Sequence, residues 1–215
     1  MPMLPGTAFG LLTGATRNFL KTYPVRIFGD VNASGVAQYA LENRGASMRP
    51  GTIWGTHNRH VTESFNIRAT AANLHAINSH IFNAHSVHMD NGIGNLGFYR
   101  LDHTGPAIVV TGQLSGCSFV ISPAGGNDID VAHIKPVAQT GAALAVAVKL
   151  AHPNAFVYGA TAGTGFYDSN DRVVSILGVR ALGGAWTIYA QKHDKNAGDY
   201  RIQSVYRIHP NHTKV

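Results

Sequence analysis

Ser118-Phe-Val-Ile-Ser-Pro123-Ala-Gly-Gly-Asn127-Asp-Ile129-Asp-Val-Ala-His133-Ile134 is the stretch whose reading decides the fold. Two runs of β-forming residues enclose a cluster of Pro, Gly and Asn, which is the pattern of a hairpin. Folded about Gly125, this hairpin sets Cys117 opposite His133. Side chains alternate faces along a strand, so Cys117, Phe119 and Ile121 share a face, with His133, Val131 and Ile129 across from them. The register therefore buries four apolar side chains and brings the single cysteine of the chain beside an imidazole.

The chemistry of such a pair is specific. A free thiol titrates near about 8.5 and is mostly protonated at neutral pH. A histidine within reach takes that proton to give a thiolate–imidazolium pair. The thiolate attacks a carbonyl carbon, and the imidazolium protonates the departing amine. Backbone amides around Ser115, Gly116 and Cys117 are candidate donors to the oxyanion, where glycine admits a close approach. Thr111, Gln113 or a backbone carbonyl is the candidate third group that orients the imidazole. The competing reading is a non-catalytic β-sandwich interaction module. In it Cys117 is simply buried, as free cysteines commonly are.

Thr111-Gly-Gln-Leu114-Ser115-Gly116-Cys117, followed by His133, resembles the glutamine deamidases related to cytotoxic necrotizing factor and Burkholderia lethal factor 1. The likeness covers roughly residues 108–134, through the Leu-Ser-Gly-Cys motif and the placed threonine and histidine. It implies a cysteine-dependent hydrolysis of a protein glutamine side chain to glutamate through a thioester. Cys117 would be the nucleophile, His133 the general base and acid, and Thr111 the orienting residue. Resolution by an amine would give a transglutaminase side activity. The resemblance also implies a bacterial toxin or effector, secreted or injected, that acts on a host protein in the host cytosol. Relatives attack Rho-family GTPases or a translation factor, through surface loops with no counterpart here, so the substrate is not carried over.

Composition fits a folded body. At 215 residues, with 45% hydrophobic and 13% charged residues, one catalytic domain over residues 1–215 is expected. One cysteine excludes an intramolecular disulfide. No run of apolar residues reaches the ~18 needed to span a membrane. The apolar beginning has no basic residue before Arg17, so no classical secretory signal is expected. A formal charge of +6 comes from scattered Lys and Arg, with no basic stripe or nucleic-acid motif, so no nucleic-acid function is expected. A monomer is expected.

The flanking segments predict an α+β fold: a β-sandwich core of mixed and antiparallel strands flanked by helices and long loops. Helices are predicted over 8–22, 69–82 and 136–150, the second from the spacing of Leu74, Ile77 and Ile81. Strands are predicted over 25–28, 52–54, 66–68, 96–101 and 107–111, while 36–41 is ambiguous. A C-terminal meander of strands is predicted over 155–158, 173–179, 185–191 and 200–208, from period-two alternation. Trp186, Tyr189, Tyr200 and Tyr206 are expected to pack on those strands.

Twelve histidines invite a metal reading, with His57 and His60, then His75, His80, His85 and His88, close in sequence. Their spacings match no zinc pattern, so no metal and no cofactor are expected. Gly159-Ala-Thr161-Ala-Gly163-Thr-Gly165 lacks the lysine of a phosphate loop and reads as a connection that could overhang the site. Asp128 and Asp130 flank Ile129 and should point away from the cysteine–histidine pair.

Overall fold

The computed structural model describes residues 2–28, 32–46, 63–70, 79–137, 141–159, 167, 172–181, 184–194 and 202–215. Alternating burial along its strands sorts the side chains onto two faces of each sheet, and two sheets form. The larger has nine strands: β1 (Val25–Phe28), β2 (Gly35–Ala46), β3 (Glu63–Ala69), β4 (Ser79–Val87), β7 (Ile108–Thr111), β11 (Arg172–Arg180), β12 (Trp186–Asp194), β13 (Ile202–His209) and β14 (Thr213–Lys214). Its spatial order is β1-β3-β2-β4-β7-β11-β12-β13-β14. The smaller contains β5 (Met89–Asn91), β8 (Ser118–Gly125), β9 (Asp128–Lys135) and β10 (Phe156–Gly159) in the order β10-β8-β9-β5, with β6 (Tyr99–Leu101) also paired to β9. β1–β3, β4–β7 and β5–β9 are parallel, and the other pairs are antiparallel.

The sheets enclose a core of Val109, Leu114, Phe119, Ile121, Val131, Ile176, Ile188 and Trp186, among others. Helices α1 (Pro5–Gly14) and α2 (Thr16–Thr22) cover the far face of the large sheet, where Leu12, Phe19 and Leu20 meet Leu41, Phe65 and Val110. Helix α3 (Gly141–Ala151) covers the far face of the small one, setting Leu144 and Val148 against Val120, Ala132 and Ile134. The result is an α+β sandwich with helices on both outer faces, as the sequence predicts.

The hairpin forms from β8 and β9, but with a different register. Phe119, not Cys117, pairs with His133, and Ser118 pairs with Ile134. The strand runs on through Gly125, and the turn is the two-residue Gly126-Asn127, with positive φ at Gly125 (97°) and Gly126 (59°). Short turns of this kind suit the twist of a hairpin, and glycine accepts their backbone angles without strain. A bulge after Pro123, which has no N–H to donate, accommodates the offset. The shift is by two positions, so every side chain keeps its expected face; a shift by one would have inverted them.

Other segments depart further. The helix predicted over 69–82 is not formed at its end: Ser79–Val87 is strand β4, and 71–78 lie outside the described residues. Pairing with β2 from Gly35↔Ser86 to Glu42↔Ser79 overrides the helical spacing there. Helix 8–22 begins at Pro5, where proline is favoured, and is broken at Ala15. Of the 136–150 helix, Pro136 and Val137 are not helical, Gly141–Ala151 is helix α3, and 138–140 lie outside the described residues. The 96–101 strand is reduced to Tyr99–Leu101, and the ambiguous 36–41 lies within β2. β10 does not join the C-terminal meander; it pairs with β8 in the other sheet. The 52–54 segment and Tyr200 lie outside the described residues.

Candidate active site

Two crossings between the sheets build the site. Val87 ends β4 beside Thr111, which ends β7, the two being paired in the large sheet. From Val87 the chain passes through His88 into β5 of the small sheet, where Met89 pairs with His133. From Thr111 it passes through residues 112–117 into β8. Thr111 and His133 therefore meet although they belong to different sheets, and the second crossing delivers Cys117 to the start of β8, the strand paired with the one that carries His133.

The Thr111 hydroxyl is the centre of the arrangement. It donates to the Val87 carbonyl at 2.8 Å, and lies 2.7 Å from His133 Nδ1. A hydroxyl has one proton, and here it points to Val87. The short contact to His133 is therefore a bond in which Nδ1–H donates and Thr111 accepts. That fixes the tautomer and leaves the Nε2 lone pair free to accept a proton. Nε2 is buried and has no hydrogen-bond partner among the described residues. Burial, with a smaller contribution from the charge of His88, pushes His133 down to about 3, so the ring is neutral at physiological pH. His133 thus rests as a neutral imidazole, in place of the imidazolium expected from the sequence.

Cys117 lies just before β8, one step beyond the last pair of the hairpin, and is buried. Its Sγ is 3.5 Å from Met89 Sδ. Cys117 approaches β9 from the β8 side and Met89 from the β5 side, so the two sulfurs meet over the strand that carries His133. A Cβ on Gly112 would lie 3.9 Å from His133 Cε1, so the cysteine loop also runs along the edge of the imidazole.

The remaining motif residues anchor this loop. Leu114 is fully buried and forms a two-bond bridge with Val174 of β11, at 2.8 and 2.9 Å. Gln113 donates to Ser175 Oγ at 3.3 Å, so its amide is engaged on β11 while Thr111 holds the histidine. Ser115 is exposed. Gly116 has a positive φ of 131°, a conformation L-residues rarely adopt, and its N–H is bound to the Tyr167 hydroxyl. Gly116 thus drops out of the oxyanion donors expected from the sequence.

Asp130 points away to Arg100, and Asp128 lies 4.0 Å from His103, as expected. Of the histidines, His80 packs at a tilt against Phe9, and His85 bonds Tyr99 and packs edge-on to Trp186. His57, His60 and His75 lie outside the described residues, and among those described no group of three metal-ligating side chains forms. Met89 and Tyr167 touch the site without having been singled out by sequence. The one signal near Tyr167 is the glycine-rich 159–165 segment just before it, of which only Gly159 lies within the described residues. A Cβ on Gly159 would collide with Ser118 Oγ, so this glycine lets β10 close on the strand that follows Cys117.

Comparison of the chain with family models gives no match, and comparison with curated proteins gives none either.

Proposed function

We propose that this chain is a cysteine-dependent protein glutamine deamidase of the cytotoxic necrotizing factor type, acting as a bacterial toxin or effector on a host protein. The observation that carries the reading is the His133 imidazole, oriented through Nδ1–H by Thr111, with a buried and unpartnered Nε2 beside the cysteine loop. An orphaned buried acceptor is costly to a fold, and a catalytic role is one reason for a fold to keep such a group.

In the proposed reaction Cys117 Sγ attacks the side-chain carbonyl carbon of glutamine as His133 Nε2 takes the thiol proton. The tetrahedral intermediate collapses when Nε2–H protonates the departing amine, releasing ammonia and leaving a thioester. Water then attacks with Nε2 again as base, and glutamate and the thiol are released. The thiol proton leaves with ammonia and is replaced, through Nε2, by one from the attacking water, so the thiol and the neutral imidazole are restored and no cofactor enters the balance. In the resting arrangement Cys117 touches Met89 and makes no hydrogen bond to Nε2. Catalytic hydrogen bonds of this kind commonly tighten only when substrate is bound.

The burial of Cys117 against Met89 favours a second reading, a β-sandwich interaction module with a structural cysteine. Ammonia release separates the two. Wild-type protein incubated with the protein fraction of a host-cell lysate should liberate ammonia, and Cys117→Ser should not. Equal release from both, with both proteins folded, would remove the deamidase reading and leave the interaction module.

A further inference from the structure

Tyr167 comes from 50 residues beyond Cys117, yet its phenol is built into the cysteine loop. The hydroxyl accepts from Gly116 N–H at 2.9 Å and donates to the Cys117 carbonyl at 2.7 Å. One oxygen thus ties the N–H of Gly116 to the carbonyl of the next residue, spanning the peptide unit between them and the position where φ is 131°. The ring itself is 2% exposed and stacks on Tyr158 with centroids 6.2 Å apart, so the hydroxyl is held from behind by packing. Burial raises this phenol well above its ordinary range, with Cys117 adding to the effect, so it stays a neutral donor at any working pH.

We infer that Tyr167 is the positioning residue of the nucleophile: its hydroxyl sets the Gly116–Cys117 backbone, and through it the direction of Sγ, while withholding the Gly116 amide from the oxyanion. Its effect on turnover rests on the deamidase reading; the bridge itself does not. Glycine at 116 gives the loop conformational freedom that opposes a fixed nucleophile. A two-point clamp from a distant, packed ring removes that freedom without adding a side chain to the approach path.

The test uses the full chain and three measurements. Amide exchange in the wild type should show Gly116 N–H as protected as Leu114 N–H, which bonds Val174. Tyr167→Phe keeps the ring stack and deletes only the hydroxyl. In this variant Gly116 exchange should rise roughly tenfold, a change of the size expected for one lost hydrogen bond, with Leu114 and Val174 unaffected. The pH profile of Cys117 alkylation by iodoacetamide should shift, and kcat for ammonia release should fall roughly tenfold at little change in KM. An unprotected Gly116 amide in the wild type would overturn the proposal, and this holds even if the variant does not fold. So would an unshifted alkylation profile in a folded Tyr167→Phe. If the wild type releases no ammonia, the deamidase reading falls by itself, and amide exchange and alkylation still decide whether Tyr167 sets the cysteine loop.

Discussion

Acidification should destabilise this fold steeply, and the magnitude follows from two histidines. His133 and His193 are both buried, and burial is the first cause that brings each down to about 3 from an ordinary 6.5. Between those limits the unfolded chain binds a proton at each site and the folded chain does not. The unfolded state is therefore favoured as pH falls through that window, and stability is fully present only above about pH 6.5. Each site contributes a slope approaching 1.4 kcal/mol per pH unit, or about 2 kcal/mol between pH 7 and pH 5. His133 is on β9 and His193 on β12, in different sheets, so the two add to about 4 kcal/mol. Urea denaturation at pH 7, 6 and 5, analysed at constant slope, reads this directly. His133→Asn keeps an N–H donor near Thr111 but cannot be protonated in this range, and should remove about half of the loss. Stability that is level from pH 7 to 5, or an undiminished loss in His133→Asn, would refute the assignment of neutral buried histidines.

Three further outcomes are expected. Thr111→Val removes the hydroxyl that serves both Val87 and His133; it should cost about 1–3 kcal/mol of stability and lower ammonia release, and wild-type turnover would move the orienting role elsewhere. His133→Ala should abolish ammonia release and slow iodoacetamide labelling of Cys117 while the near-UV spectrum stays native, and full activity would refute the pair. Gly178→Ala would place a Cβ inside van der Waals contact of Ile188 and Val109 between β11, β12 and β7; denaturation should register a loss of about 1–3 kcal/mol, and an unchanged midpoint would show that this part of the sheet can yield.

Alternation made the hairpin, the C-terminal strands and the sandwich legible in the sequence, because half-buried strands repeat every two residues. The hairpin turn was legible as glycine-rich, but its register was not: the choice between a turn about Gly125 and one at Gly126-Asn127 depends on backbone angles. Leu74, Ile77 and Ile81 suggested a helix because helical spacing and an exposed strand position look alike over a short window; Ile81 is 44% exposed on β4. The membership of β10 in the small sheet, and the contacts of Met89 and Tyr167, arise from pairings across 28 to 51 residues that no local pattern encodes. Thr111 was legible through the motif spacing, yet the carbonyl that orders its hydroxyl, Val87, depends on a parallel pairing invisible in the sequence.

The central claim is most directly tested by mapping glutamine-to-glutamate conversion across the proteins of a host-cell lysate. Intact lysate would be incubated with purified wild-type protein and, in parallel, with Cys117→Ser. At least one glutamine should be converted by the wild type and left intact by the variant, which would identify the activity, the nucleophile and the substrate together. Identical glutamine content in the two samples, with both proteins folded, would contradict it.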